Sequence, residues 1–423
     1  MKKLLKSKKR GSAIPLAIVV VLILLAMGTG LLSMGLNSRT FSLRTTSDIT
    51  ARCAADTGLT MALYQMNENL KVKPWSVSSL PKATDINLLY CDASYSYSVT
   101  GNLAKGYIMQ SVGKADQAQR TVYATIGLQG LFEHAILTKG SLVLKSGTTI
   151  DGYNSGDSLD TDFNVDIGTQ STAESMVVLN SGVIVKGDVL VGLGGDPDTV
   201  IKDLGATTGD QFGGTENDPL PQITPPTLTD MMADIEAKGK TITITEAWNG
   251  QYGNIDLASS VDAGILKIDG HVVLYITGNI ELGNSCEIIV KDGASLTIYL
   301  DGDIVSGNGS SISTENPSKD ALTIKLYGTG EGEQNFDVKA KNDWTGVIYA
   351  PNANIDLYAN GDVYGAIVAD SFEFKNGGNL YYDEALREVS LEDEGVRFVV
   401  ERWYEGSPKL LISDIEAMPI KTK

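Results

Sequence analysis

The N-terminus of the chain combines a basic cluster with a long uncharged stretch. Six lysine and arginine residues, and no acidic residue, lie within the first ten positions, and residues 13–36 then carry no charge. As an α-helix this stretch would measure about 36 Å, more than the roughly 30 Å hydrocarbon core of a bilayer. Because basic flanks stay in the cytoplasm, the pattern predicts a single-pass span of the cytoplasmic membrane with the N-terminus inside and the C-terminal body outside.

Three fates of this segment are compatible with the sequence. A secretory signal peptide has a shorter apolar region and a cleavage site of small residues, which residues 28–35 would supply. A signal anchor keeps the whole segment in the membrane and needs nothing further. A prepilin is cut on the cytoplasmic side of the apolar helix, directly after a glycine preceded by basic residues, which here is Gly11.

The apolar stretch continues into residues 37–70 without a strong helix breaker. Pro15 falls in the first turn, where a missing N–H group costs little. We therefore predict one helix over residues 12–70, about 88 Å long, with its membrane part at 13–36 and a basic leader at 1–11. Apolar side chains recur at helical spacing in its second half: Leu59, Ala62, Leu63, Met66 and Leu70.

Alternating apolar and polar residues follow the helix and predict a small antiparallel sheet over residues 71–135. Its apolar face would cover the outer half of the helix. Cys53 lies on the helix and Cys91 on the first predicted strand. Outside the cytoplasm the two would form a disulfide, or both are small buried apolar residues.

From about residue 136 the sequence changes to short apolar pieces separated by glycine-containing turns. An antiparallel sandwich and a parallel β-helix both fit such a pattern. We favour a right-handed parallel β-helix over residues 136–385, because the strands are very short and numerous and two-residue hairpin turns do not recur throughout. Residues 205–264 read as a proline-rich insertion with a helix of about ten residues from Leu228, and residues 386–423 as closing strands and a tail. The fold class is thus mainly β.

Charge and composition exclude several functions. The chain has 52 acidic against 34 basic residues, a net charge of −18, so it repels nucleic acids. Two histidines and three cysteines without metal-binding spacing argue against zinc. We predict no cofactor.

One loop is rich in carboxylates, which are the ligands that Ca²⁺ prefers. Its spacing matches neither the EF-hand nor the calcium-binding repeat pattern, so a solvated acidic loop is the simpler interpretation. The calcium candidates are Asp157, Asp160 and Asp162.

Catalytic residues are not indicated. An enzyme on this scaffold, such as a polysaccharide lyase or glycosidase, would need paired carboxylates on one face. Turn chemistry already explains the aspartates beside glycines. His134 and His271 lack a nearby serine or cysteine elbow motif. Aromatic residues scattered through the body would bind a glycan or another surface, or pack in the core: Trp248, Tyr252, Tyr275, Tyr299, Trp344, Tyr349, Tyr358 and Tyr364.

The segments KKRGSAIPLAIVVVLILLAMGTGLL and TSDITARCAADTGLTMALYQMN resemble the N-terminal region of PilX-type pilus-assembly proteins, within the type IV pilin-like superfamily. The resemblance implies cleavage between Gly11 and Ser12 by a prepilin peptidase and packing of the helix with other pilin-like subunits. Leu16 stands where major pilins carry glutamate, and Ser12 where they carry an aromatic residue. These departures favour a minor or accessory subunit.

A second resemblance covers the C-terminal body. AWNGQYGNIDL, GASLTIYLDGDIVSGNG, TGVIYAPNANIDLYANGDVYGAIVADSF and LYYDEAL resemble an uncharacterised domain often fused to PilX-type N-termini, which carries no established activity. We expect a non-catalytic, pilin-like protein that contacts membrane lipid and displays an acidic β-helix to a surface glycan or protein, in the membrane or in a surface filament. The alternatives are a surface-anchored carbohydrate-active enzyme and an unprocessed membrane-anchored scaffold.

Overall fold

The computed structural model describes residues 13–72, 74–75, 80–102, 106–156, 163–214, 220–258 and 262–406. The chain divides into two compact units, one formed by residues up to 127 together with the strand from Phe398, the other by residues 128–397. It is mainly β, with a long N-terminal helix, an antiparallel sheet and large parallel sheets.

The helices and strands follow one another in this order: α1 (Ala13–Leu70), β1 (Lys82–Asn87), β2 (Ala93–Asn102), β3 (Gly106–Ala115), β4 (Ala118–Gln129), β5 (Ile136–Thr138), β6 (Leu142–Leu144), β7 (Thr149–Tyr153), β8 (Ile167–Thr169), β9 (Val177–Leu179), β10 (Ile184–Val185), β11 (Val189–Val191), α2 (Pro197–Val200), β12 (Ile201–Asp203), β13 (Gln211–Gly213), β14 (Ile235–Glu236), β15 (Thr241–Ile244), β16 (Gly250–Tyr252), β17 (Ile255–Asp256), β18 (Ile265–Ile268), β19 (His271–Ile276), β20 (Ile280–Leu282), β21 (Glu287–Val290), β22 (Ser295–Leu300), β23 (Ile304–Ser306), β24 (Ser311–Thr314), β25 (Ile324–Gly328), β26 (Gln334–Ala340), β27 (Trp344–Ala359), β28 (Val363–Phe374), β29 (Asn379–Asp383) and β30 (Arg397–Glu405).

In the first unit, the second half of α1 packs against the antiparallel strands β1 to β4. Strand β2 alternates buried and half-buried residues, as expected for a sheet with one covered face. The helix face predicted from its spacing is buried at Leu59, Ala62, Met66 and Leu70, whereas Leu63 is half-buried. Cys91 lies in the turn between β1 and β2 and not on a strand, which corrects the prediction.

Small residues let the helix approach the sheet backbone closely. A Cβ atom added to Gly113 on β3 would lie 2.0 Å from the carbonyl oxygen of Ala51 and 2.4 Å from the backbone nitrogen of Ala55. A Cβ atom on Gly58 of the helix would lie 2.1 Å from Ser111 Oγ. Any side chain at Gly113 would therefore push the helix and the sheet apart, whereas a side chain at Gly58 would first displace the Ser111 hydroxyl.

The strand β30 belongs to the antiparallel sheet, next to β4, and does not close the C-terminal body as predicted. Asn67 on α1 fixes it, because its Oδ1 accepts from the Phe398 backbone N–H at 2.7 Å and its Nδ2 donates to the Phe398 carbonyl at 3.1 Å. The Phe398 ring is 1% exposed and packs on Trp75 and Tyr107. These contacts between residues far apart in the sequence hold β30 against the helix, and no local sequence pattern indicates its position.

The second unit is built from short parallel strands. Every pairing between its described strands is parallel, and the strand that follows in a stack is typically about 24 residues further along the chain, as for His271 and Ser295. Aliphatic residues point into a continuous core, while their neighbours face outward. Many short strands thus share one core that no single strand could bury.

The chain enters this stack in its middle. Strand β28, near the end of the unit, pairs with β5 and β6 near its beginning. The strands β5 to β13 therefore extend the stack in one direction, and β14 to β29 form the rest of it. Residues 214–234 connect the two parts.

This connection corrects two predictions. The strands β14, β16 and β17, within the predicted insertion at 205–264, pair in the same parallel sheet as later strands. The helix predicted from Leu228 is absent, since residues 228–234 are extended or bent. Gln251 explains this, because its N–H donates to the Thr229 carbonyl and its carbonyl accepts from the Met231 N–H. These bonds to a neighbouring strand replace those of a helix.

Asparagine and aspartate side chains connect successive strands at the turns. Asn254 Oδ1 accepts from the Asn279 N–H at 2.8 Å, and Asn279 Oδ1 accepts from the Asp303 N–H at 3.0 Å. Asp303 Oδ1 in turn accepts from the Asn335 N–H at 2.8 Å. We call these four residues the Asx ladder. Each bond satisfies a backbone N–H, in a turn or at the start of a strand, that the parallel strands leave without a backbone partner.

Candidate functional site

The first half of α1 is the most distinctive surface of the first unit. Its apolar side chains are exposed, for example Leu16 at 69%, Leu24 at 63% and Leu31 at 69%. The most apolar window of the helix has a mean hydropathy of 2.6, and none of that window is buried within the protein. The helix is therefore long and apolar enough to cross a membrane, by length and composition.

Several threonine hydroxyls in and just beyond this half donate to the backbone of the helix itself. The hydroxyl of Thr29 donates to the Ala26 carbonyl at 3.0 Å. Thr40, Thr45 and Thr46 make the same kind of bond to the preceding turn of the helix. A hydroxyl bonded in this way adds little to the cost of placing the helix in lipid.

Charged residues begin at Arg39, beyond the uncharged stretch 13–36. Asp48 forms an ion pair with Arg120 on β4, with 2.9 Å between the carboxylate oxygen and the guanidinium nitrogen. Arg52 packs over the Trp403 ring at 5.3 Å and lies 3.6 Å from Glu405. The same helix thus exposes an apolar surface in its first half and packs against the antiparallel sheet in its second half.

Several predicted site residues lie outside the described part of the chain. They are the processing residues Gly11 and Ser12 and the calcium candidates Asp157, Asp160 and Asp162. At the described ends of the acidic loop, Asp151 pairs with Lys186 at 2.6 Å and Asp166 accepts from the Asp188 N–H at 2.9 Å. Among the described residues, no group of three His, Cys, Asp or Glu side chains could hold a metal ion.

The cysteines are free thiols in the structure. Cys53 and Cys91 are both exposed, so the predicted disulfide is not formed and neither residue is a buried apolar one. Cys286 is buried, and its Sγ lies 2.9 Å from the Leu257 carbonyl oxygen.

The histidines have different environments. His134 Nδ1 is buried without a partner among the described residues, and desolvation lowers the pKa of this ring. His271 Nδ1 lies 2.9 Å from Ser295 Oγ, a contact that sequence analysis missed. The two are register partners on neighbouring strands, and Glu246 accepts from the backbone N–H of His271 and not from its ring. The strand register accounts for this pair.

The aromatic residues singled out in the sequence divide by burial. Tyr252, Tyr299, Trp344 and Tyr349 are 5% exposed or less, whereas Trp248 is 40% exposed. The sequence does carry a signal for the strand register, since YGNI, TGNI and DGDI recur at nearly equal intervals and end at Ile255, Ile280 and Ile304.

Part of the second unit matches a known family model. Residues 207–389, less than half of the chain, match the family model of a domain of unknown function (DUF7305). No curated protein matches the sequence significantly. The crystal structure of the competence-associated pilin ComZ from Thermus thermophilus aligns with 85% of this chain and 98% of its own, at 12% identity and a TM-score of 0.21. So low a TM-score establishes no common fold.

Proposed function

We propose that the protein is a membrane-anchored, pilus-associated subunit without catalytic activity. The observation that carries this proposal is the division of α1 into an exposed apolar half and a half that packs against an antiparallel sheet. The apolar half would lie in the cytoplasmic membrane, with residues 1–11 inside and the sheet outside. The resemblance of residues 8–32 to PilX-type proteins adds cleavage after Gly11 by a prepilin peptidase.

The same helix suits a subunit that leaves the membrane for a filament. The apolar side chains that contact lipid would then contact the apolar helices of other pilin-like subunits, so no exposed apolar surface is left in either state. Leu16 at the fifth mature position removes the glutamate of major pilins, which favours a minor or accessory role.

The second unit would be the displayed part. Parallel pairing at steps of about 24 residues, one continuous core and the Asx ladder support a β-helix, which we propose to be right-handed. Its acidic outer surface would make the contact with a partner at the cell surface. The adhesive role is thus assigned to residues 136–385 and the anchoring role to α1.

Mechanical shearing of cells tests the proposal. Wild-type protein should be recovered both in membranes and in the sheared surface filaments. Gly11→Val should block processing and confine the protein to the membrane. Gly332→Val is the control, because Gly332 lies outside α1 and a Cβ atom there meets nothing within 4 Å, and it should behave as the wild type. Wild-type protein absent from the sheared fraction would contradict filament membership.

A further inference from the structure

Four tyrosines share one register position on four neighbouring parallel strands of the second unit. Both side neighbours of Tyr275, Leu274 and Ile276, are completely buried in the core, so the tyrosine lies on the outer face. The rings of Tyr299 and Tyr327 stack with 5.2 Å between their centroids. We call this set the tyrosine row, and its members in register order are Tyr275, Tyr299, Tyr327 and Tyr349.

Three rings of the row are covered by other segments of the same unit, and Tyr275 differs. Tyr299 is 4% exposed, Tyr327 is 5% exposed and Tyr349 is fully buried. The Tyr349 hydroxyl donates to the Pro221 carbonyl at 2.7 Å, so the chain at Pro221 covers this end of the row. Tyr275, at the other end, is half-buried and lines a cavity of about 560 Å³.

A fixed carboxylate lies beside Tyr275 in this cavity. The Tyr275 hydroxyl donates to Asp301 Oδ2 at 2.6 Å, and Thr329 Oγ1 donates to Asp301 Oδ1 at 2.7 Å. The two bonds hold the carboxylate in one orientation. Since each carboxylate oxygen has a further lone pair, Asp301 can still accept two hydrogen bonds from two adjacent hydroxyl groups of a ligand.

Gln334 is a buried polar residue beside the cavity. The side chain lines the cavity and is 2% exposed. Its Nε2 donates to the carbonyls of Leu300 at 3.0 Å and Gly302 at 2.7 Å, which fixes the orientation of the amide. Its Oε1 is buried with no hydrogen-bond partner within the described part of the chain. The fixed amide therefore forms a rigid part of the cavity wall.

The charges around the cavity restrict the ligand further. Glu331 and Glu333 also line it, and none of its described lining residues is lysine or arginine. Anionic groups are therefore repelled. A resident metal is not favoured, because no group of metal-binding side chains occurs among the described residues. The site suits an uncharged ligand with many hydroxyl donors and an apolar face for the Tyr275 ring.

We propose that this cavity binds a neutral saccharide unit of a surface glycan. Tyr275 would stack on the sugar ring, and Asp301 would accept from its hydroxyl groups. The cavity volume lies within the roughly 300–1,000 Å³ typical of small-ligand sites. This proposal names the ligand class for the proposed adhesive role, and it rests on the proposed function only for the location of that ligand at the cell surface.

Calorimetric titration of the full chain tests the proposal. The protein is inserted in lipid nanodiscs, so that no sugar-headed detergent competes for the cavity. The titrants are neutral tetrasaccharides of glucose, galactose and N-acetylglucosamine, with tetragalacturonate and tetralysine as charged comparisons. We expect at least one neutral tetrasaccharide to bind and tetragalacturonate not to bind.

Substitutions then assign the binding to the cavity. Asp301→Asn and Tyr275→Ala should each weaken binding about tenfold or more, while Tyr275→Phe, which keeps the ring, should weaken it less. Asp269→Asn is the control, because this aspartate pairs with Lys291 on another, exposed part of the unit. Thermal unfolding of each variant is compared first, and Thr329→Val replaces Asp301→Asn if the latter does not fold.

Three results would overturn the proposal. They are the absence of binding by all neutral tetrasaccharides, unchanged binding in the cavity variants, and binding of tetralysine alone, which would indicate a cationic protein partner. Because the titration uses purified protein and does not depend on processing or assembly, its failure is distinct from failure of the pilus-associated role.

Discussion

Replacing Gly278 with alanine probes the close stacking of the parallel strands. A Cβ atom at this position would lie 2.2 Å from Asn254 Oδ1 and 2.8 Å from the Gly253 carbonyl oxygen. Rotation of Asn254 relieves the first clash but breaks its bond to the Asn279 N–H in the Asx ladder. The second clash is with the backbone of the preceding strand and cannot be relieved by rotation, so neighbouring strands must separate.

The magnitude follows from three terms. Overpacking of this kind costs about 1–3 kcal/mol, and the turn N–H that loses its partner costs about 1 kcal/mol. Reduced freedom of the unfolded chain returns about 0.4–1 kcal/mol for a glycine-to-alanine change. We therefore expect a loss of about 1–3.5 kcal/mol for Gly278→Ala, or a fall in Tm of about 2–7 °C for a unit of this size.

Gly332→Ala is the matched control in the same unit, since a Cβ atom there meets nothing within 4 Å. Only the unfolded-state term applies, so Tm should stay unchanged or rise by about 1–2 °C. Thermal unfolding of both variants in nanodiscs, followed by tryptophan fluorescence, measures the difference. Equal Tm values for the two variants would refute the stacking geometry around the Asx ladder.

Three further predictions concern other parts of the molecule. Gly113→Val should separate α1 from its sheet at a cost of about 3 kcal/mol, and faster limited proteolysis within residues 80–129 would reveal it; proteolysis at the wild-type rate would contradict the packing. Maleimide should modify Cys53 and Cys91 in the native protein and Cys286 only after unfolding, which intact mass detects; a native adduct on Cys286, or protection of the other two, would be inconsistent with the structure. Burial and the hydrogen bond to Asp301 raise the pKa of Tyr275 to about 12. The contribution of Tyr275 to stability should therefore be present below pH 10 and decline between pH 10 and 12. In alkaline unfolding experiments, Tyr275→Phe should lessen this loss of stability.

The helix could be predicted because its signals are local. A long uncharged run indicates a segment for lipid, and Leu59, Met66 and Leu70 at helical spacing are buried where expected. The small antiparallel sheet was likewise predicted from alternation, although strand β1 (Lys82–Asn87) ends before Cys91, which the prediction placed on the first strand. Local sequence patterns thus predicted that these helices and strands exist more accurately than they predicted where each one begins and ends.

The misplaced elements depend on contacts between distant residues. The sequence MMADIEAK favours a helix by composition, but the backbone of Gln251 binds this region in an extended form. The return of β30 depends on the bonds between Asn67 and Phe398, which are 331 residues apart. The predicted disulfide between Cys53 and Cys91 is not formed for the same reason, because positions along the chain do not give the distance between two side chains in space.

The candidate sites were predictable only in part. Tyr275 was among the aromatic residues noted in the sequence, but its neighbours in the cavity come from other strands. Asp301 was attributed to turn chemistry, and Gln334 carried no signal at all. The strand register brings them together, and it becomes readable in the sequence only through the recurring glycine and Asx residues before Ile255, Ile280 and Ile304.

The N-terminus of the protein recovered from the membranes of the cells that produce it tests the central claim most directly. Intact mass and N-terminal sequencing should find a mature chain that begins at Ser12, without the basic leader. That result would establish prepilin-type processing of a membrane-anchored precursor. A chain that still carries Lys2 to Gly11 would contradict the pilus-associated role and leave an unprocessed anchor with a displayed C-terminal body.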